Sequence, residues 1–186
     1  MAPTNKWRGL RWLGLLLPAV IVFGIDQASK AAVIDQLAIG QSWAPIPMLQ
    51  NIFEITRSVN TGAAFGLFQG ANVLLLLLSA VMAVGIVIYA SRLSGQTLIN
   101  AAIQRIALGL LLGGVIGNGL DRLRLGTVVD FIHWQLPGVV SNVSNLADHA
   151  IVFAVIGLLV IQWRTGRQAD QAAALAVTSI PDDGER

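Results

Sequence analysis

The 186-residue chain contains no cysteine. Disulfides, a thiol nucleophile, a zinc thiolate site and an acceptor for a thioether lipid are thereby excluded. Charge is also scarce. Only 12% of the residues are Asp, Glu, Lys or Arg, against about 25% in an ordinary soluble domain. The net charge is +2 and the pI about 9.7, but the basic residues sit beside apolar blocks and form no stripe, so nucleic acid is not expected as a partner. The two histidines, His133 and His149, belong to no HExxH helix, which argues against a zinc peptidase. Internal repeats and a second domain are missing as well.

What the chain does have is apolar sequence in blocks. It is 55% hydrophobic, with a mean hydropathy of +0.69. Four blocks stand out, at about 10–32, 71–90, 98–120 and 146–163. A spanning helix needs roughly 20 apolar residues, and all four fit. A soluble helical core fails as an explanation, because so short a chain has too little polar surface to cover blocks of this number and length. The first block has a basic start (Lys6, Arg8, Arg11), as a signal peptide would. It is long, however, and runs into Asp26, Gln27 and Lys30 without a small-x-small cleavage site, so it reads as a retained span. The expected fold is a single membrane-embedded α-helical domain with four transmembrane helices.

Lys and Arg near the helix ends set the orientation. With a cytoplasmic N-terminus, that side holds Lys6, Arg8, Arg11, Arg92, Arg105, Arg164 and Arg167, and the other holds Lys30, Arg57, Arg122 and Arg124. Both termini are therefore expected in the cytoplasm, with the connections 33–70 and 121–145 facing outward. In FEITRSVN, Phe53, Ile55 and Val59 alternate with polar residues and Arg57 breaks the set once. That period predicts short strands in the first outer connection, a small cradle on the membrane surface. The polar tail, 164–186, reads as disordered.

The chemically interesting residues collect on the outer side. Gly109, Gly113 and Gly117 recur every four residues, a spacing that lets a neighbouring helix come close. Asn118 and Arg122 share one face near the outer boundary, and packing does not require them. Asp130 follows two valines in TVVDF, an extended-looking run after Gly126. Asp148 falls at the third position of a helix that Asn145 can cap, where an acid suits the dipole. Each acid has an ordinary explanation alone. Together, at one membrane face, they form a functional hypothesis: two close carboxylates share a proton, so one can activate a water while the other polarises a peptide carbonyl. GNGLD has one residue too many before its aspartate to match the GxGD signature of presenilin-type peptidases. A proton-coupled transporter would show repeated halves or helices broken near the midplane. An assembly factor would leave Asp130, Asp148, Asn118 and Arg122 without a purpose.

Four motifs in order carry a resemblance: Asp26-Gln27 with Lys30; Asn60-Thr61-Gly62-Ala63-Ala64-Phe65; Gly113-Gly114 through Gly117-Asn118 and Asp121-Arg122 to Gly126 and Val129-Asp130-Phe131; and Asn145-Leu146-Ala147-Asp148. They are similar to the DQxxK, NxGAAF, GGxxGNxxDRxxxGxVVDF and NxAD motifs of lipoprotein signal peptidase (signal peptidase II), across nearly the whole chain except its tails. One departure is Ser144, where that family commonly has Phe. The resemblance implies an aspartic endopeptidase of the bacterial inner membrane with Asp130 and Asp148 as its catalytic pair. It implies that Asn60, Asn118, Arg122 and Asn145 line the substrate site, that Asp26 and Lys30 support it, and that Asp121 braces Arg122. The implied partner is a prolipoprotein carrying diacylglycerol, cut just before its modified cysteine, with lipid entering between helices. The chain reads as a monomer in membrane lipid, and nothing calls for a cofactor or a metal.

Overall fold

The computed structural model describes residues 5–62, 68–93, 98–136 and 138–178. Among these, four helices cross the molecule: α1 (Asn5–Gln36), α2 (Asn72–Arg92), α3 (Leu98–Leu125) and α4 (Leu146–Thr178). Each is long and apolar enough to span a membrane. The chain is a multi-pass membrane protein, and many large apolar side chains accordingly point away from the bundle, among them Leu13, Leu17, Val20, Leu74, Leu77, Phe153 and Leu159.

The third helix is the axis of the bundle. Half of its span is buried, 50% against 17%, 17% and 22% for the other three, and α1, α2 and α4 all pack on it. Its glycines make this possible. Gly109 and Gly113 lie against the backbone of Leu15 and Ala19 in α1, Gly114 lies against Ala147 in α4, and Gly117 lies against the Asp26 carboxylate. The four-residue glycine spacing thus climbs α1. Leu15, Ala19, Ile86, Leu108, Leu112 and Val115 fill the core between α1, α2 and α3. A Cβ at Gly114 would sit 2.6 Å from the Ala147 carbonyl oxygen and 2.8 Å from Ile151 Cγ1. Backbone cannot yield as a side chain does, so Gly114→Ala is expected to lower stability by about 1–3 kcal/mol, read as a lower thermal midpoint of the detergent-solubilised protein.

A four-stranded antiparallel sheet lies where α1 and α3 end and α2 and α4 begin. Its strands are β1 (Ser42–Trp43), β2 (Phe53–Asn60), β3 (Val128–Leu136) and β4 (Val140–Ser144), in that spatial order. FEITRSVN is β2. The cradle expected in the first outer connection is present as β1 and β2, and the second connection extends it with β3 and β4. The first half of β3 is buried on both faces, which hides the alternation that would mark it as a strand. The register of β2 on β3 slips by one residue between Ile55 and Ser58. Arg57 sits in that bulge, and its guanidinium donates to the carbonyls of Leu37 (2.8 Å) and Ile34 (3.2 Å) at the end of α1. The one polar break in the apolar set is therefore a cap on the first helix.

A correction concerns the tail. The fourth helix does not stop near residue 163 but runs on to Thr178. The polar residues fall in RTGRQADQ, and the alanines that follow favour helix. Residues 179–186 lie outside the described residues.

Candidate active site

Three elements bring the two aspartates together. The Asp130 carboxylate comes from β3 and is 2% exposed. The Asp148 carboxylate comes from the first turn of α4. Asn145, between β4 and α4, joins them. Its Oδ1 accepts from the Asp148 backbone N–H at 2.9 Å, and its own N–H donates to Asp148 Oδ2 at 3.4 Å, a reciprocal capping box. Its Nδ2 donates to Asp130 Oδ1 at 2.6 Å. The cap foreseen for α4 is thus also a ligand of the other acid.

Two more asparagines complete the carboxylate contacts. Asn60 Nδ2 donates to Asp130 Oδ2 at 3.0 Å. Asn60 pairs with Val128 and Ser58 with Asp130, so the Asn60–Asp130 bond is a diagonal cross-strand contact. Asn118 Nδ2 donates to Asp148 Oδ1 at 2.7 Å. The orientation of each amide is fixed by a second bond to its oxygen: Gly62 N–H to Asn60 (2.9 Å), Lys30 Nζ to Asn118 (2.9 Å) and Asp148 N–H to Asn145. Lysine has only donors, so the Asn118 oxygen must face it and the NH2 must face the acid.

The remaining acids are used differently. Lys30, 2% exposed, pairs with Asp26 at 2.8 Å and with Asp121 at 2.9 Å. Asp26 Oδ1 also accepts from the Ala147 N–H at 3.0 Å, a second tie on the start of α4. The implied contact of Asp121 with Arg122 is not what the structure contains. Adjacent residues on a helix point about 100° apart, and Asp121 turns to Lys30, to Gln27 Nε2 (2.9 Å) and to the Val129 N–H (3.2 Å). It braces the lysine and the entry into β3. Arg122 instead donates to the Gly62 carbonyl at 2.9 Å and the Asn118 carbonyl at 3.4 Å. All nine residues singled out in the sequence therefore lie in one connected region.

The electrostatic division is plain. Asp26 and Asp121 have a cation between them, while the hydrogen bonds to Asp130 and Asp148 among the described residues all come from amides. Burial, and then the charge of Asp148, push the Asp130 carboxyl up to about 6, against the opposing hydrogen bonds from Asn60 and Asn145 and the Lys30 charge. Beside the pair lies a cavity of about 460 Å³. Asn60, Asn118, Arg122 and Asp148 line its polar side, and Ile151, Val152 and Phe153 form an apolar wall along α4. Asp130 does not line it directly but lies one hydrogen bond behind, through Asn60.

Sequence reasoning passed over three contributors. Gln27 ties Asp26, Asp121 and the Gly117 carbonyl together. Its signal was its place beside Asp26 and one turn before Lys30 in an otherwise apolar helix. Asn142 and His149 also line the cavity; His149 was weighed only against a zinc motif, and nothing in the local sequence marks Asn142. Ala63, Ala64 and Phe65 of the NxGAAF motif lie outside the described residues. No cluster of three or more metal-ligating side chains occurs among the described residues.

Fold and site together define a class: a four-span membrane protein with an amide-held carboxylate pair at one end of its bundle. Residues 18–164 match the family model described as Signal peptidase (SPase) II, and the chain belongs to that family of proteases. The chain is 37% identical to the lipoprotein signal peptidase of Anoxybacillus flavithermus over 162 residues, covering 87% of this chain and 91% of that protein. It is 37% identical to the lipoprotein signal peptidase of Gloeobacter violaceus over 180 residues, covering 97% and 95%. A bacterial membrane enzyme solved by the in meso method superposes with a TM-score of 0.69 at 28% identity, covering 91% of this chain and 92% of that one.

Proposed function

We propose that this protease removes the signal peptide from diacylglyceryl-modified prolipoproteins, cutting just before the modified cysteine, with Asp130 and Asp148 sharing one proton as the catalytic pair. The observation that carries the reading is that two buried carboxylates are held by asparagine amides, with no ion pair to either among the described residues. Such a pair keeps a proton available near neutral pH. The ionised member takes a proton from water as the water oxygen attacks the scissile carbonyl carbon. The protonated member donates a hydrogen bond to the carbonyl oxygen. Collapse of the tetrahedral intermediate breaks the C–N bond, the cysteine nitrogen takes up a proton, and the signal peptide leaves with a carboxylate. Asn60, Asn118, Asn145 and Arg122 line or orient the site. Asp26, Lys30 and Asp121 hold α1, α3 and the start of α4 in place around it.

The cavity supports a lipidated substrate. Its polar side suits an extended peptide backbone, and its wall of Ile151, Val152 and Phe153 suits acyl chains. The distribution of Lys and Arg supports an inner-membrane protein with both termini cytoplasmic and the pair near the outer face. The chain works as a monomer, with membrane lipid and substrate as its partners. The test is cleavage by the purified protein of a precursor with and without diacylglycerol, read by gel shift. Cleavage of the lipidated precursor alone is expected. Equal cleavage of both would remove the lipid requirement, and no cleavage of either would remove the activity.

The Asp130 environment makes a pH prediction. Removing the Asn60 donor takes away a bond that favours the ionised form. Asn60→Ala is therefore expected to raise the Asp130 pKa and to move the limb of kcat/KM that reports it, near pH 6 in the wild type, toward alkaline pH. An unshifted limb would separate Asp130 from that ionisation.

A further inference from the structure

The end of the bundle opposite the carboxylates holds a second polar site that plays no part in the chemistry above. Arg105, in the second turn of α3, is 7% exposed. Its Nη2 donates to the Leu93 carbonyl at 3.2 Å, just past the end of α2, and its Nη1 to the Ala101 carbonyl at 3.3 Å. Its stem passes α1 at Gly14, where a Cβ would lie 3.5 Å from Arg105 Cβ. The guanidinium then borders a cavity of about 110 Å³, lined also by Arg11, Trp12, Leu15, Ser91 and Leu93.

Two carbonyls occupy donors of Arg105 but supply no negative charge. Arg11 brings a second positive charge to the same cavity, and its guanidinium makes no hydrogen bond among the described residues. No acid precedes Asp170 at this end of the chain: from Met1 to Gly166 the acids are Asp26, Asp35, Glu54, Asp121, Asp130 and Asp148, all at the sheet end. Two arginines facing a small cavity with no counter-ion among the described residues, one of them buried in a membrane span, mark a binding site. Paired guanidinium groups fit a phosphate oxyanion through parallel N–H donors.

The surroundings select the source of that phosphate. Arg11 is the last of the basic residues Lys6, Arg8 and Arg11 at the start of the first apolar block, where positive charge marks a membrane boundary. The Trp12 indole is partly exposed beside it, a residue type favoured at headgroup level. Leu15, Ala90 and Leu93 give the cavity apolar walls. The volume equals that of a few waters, enough for a phosphate group but not for an acyl chain, which would lie outside along the lipid-facing surface. We propose that this cavity binds the phosphate of an anionic phospholipid from the leaflet opposite the catalytic pair, with Arg11 and Arg105 sharing the headgroup. The lipid then links α1 to the α2–α3 turn.

The full-length protein in nanodiscs of phosphatidylcholine, with or without phosphatidylglycerol, tests this through its thermal midpoint. Phosphatidylglycerol is expected to raise the wild-type midpoint by several degrees. Arg11→Gln is expected to abolish most of that rise, and Arg105→Lys to keep part of it, because the charge remains and the fork does not. Arg164→Gln, which removes a charge outside the cavity, is expected to leave the rise intact. Equal wild-type midpoints in the two lipids would overturn the site, as would an undiminished rise in Arg11→Gln. An equal loss in Arg164→Gln would reduce the effect to diffuse surface charge and overturn it too. Inorganic phosphate reproducing the whole rise in phosphatidylcholine would overturn the lipid source. A rise that appears only after Asp182→Asn, Asp183→Asn and Glu185→Gln together would make the chain's own acids the occupant and overturn the proposal. Arg11→Gln carries the test even if substitutions at the buried Arg105 fail to fold.

Discussion

Asp130→Asn and Asp148→Asn are each expected to reduce cleavage of a lipidated precursor by about a thousandfold or more, while the protein still inserts and keeps its helices. Asparagine preserves the shape of the side chain and removes the ability to hold or release a proton, a loss that costs at least the roughly 10²–10⁴-fold of general acid–base catalysis. The double variant should lose little beyond either single one, because groups that act as a unit are not additive. Single-turnover rates by gel shift and circular dichroism on the same preparations would decide it. Normal turnover by either variant would end the assignment of the pair. Asp121→Asn provides the contrast, because that carboxylate is bonded to Lys30 and to the Val129 N–H and has no place in the chemistry. Its effect should be on stability first.

The largest effect on folding is expected from Lys30→Met. The substitution keeps the length of the stem and removes the charge that stands between Asp26 and Asp121. Both carboxylates are almost fully buried, and stranding buried charge by removing its partner costs roughly 3–5 kcal/mol. The loss should propagate, because Lys30 also fixes the Asn118 amide against Asp148. Thermal midpoints in detergent should fall steeply, and the residual folded fraction should be inactive. Replacing Asp26 and Asp121 by asparagine in the Lys30→Met background should recover much of the stability but not the activity. A Lys30→Met protein as stable as the wild type would mean that the acids are not charged in the fold.

Much of this arrangement was legible in the sequence because two periodicities and one capping pattern were intact. The apolar blocks gave the four helices, the alternation in FEITRSVN gave β2, and the spacing of Asn118 and Arg122 gave a shared face that the Arg122–Asn118 bond bears out. Asn145 was legible as a cap. Its second bond, to Asp130, was not, since that contact depends on how β3 is threaded past the end of β4. In the second connection the start of β3 was legible as an extended run in TVVDF, while its membership of the same sheet was not, since burial on both faces there erases alternation. The resemblance implied that Asp121 braces Arg122; its bonded partners lie on other elements, Lys30 and Gln27 in α1 and the Val129 N–H in β3, which spacing along one helix does not reveal.

The asparagine that caps the fourth helix has a consequence for the life of the chain. Lys30, Asn60, Asn118 and Asp130 are all synthesised before Asn145 and Asp148, and no subset of them holds both carboxylates. A chain whose last helix has not docked therefore has one acid, or two without the amide between them. On the proposed pairing, proteolytic competence waits for α4 to dock, and a copy without it has no means of cutting neighbouring membrane segments.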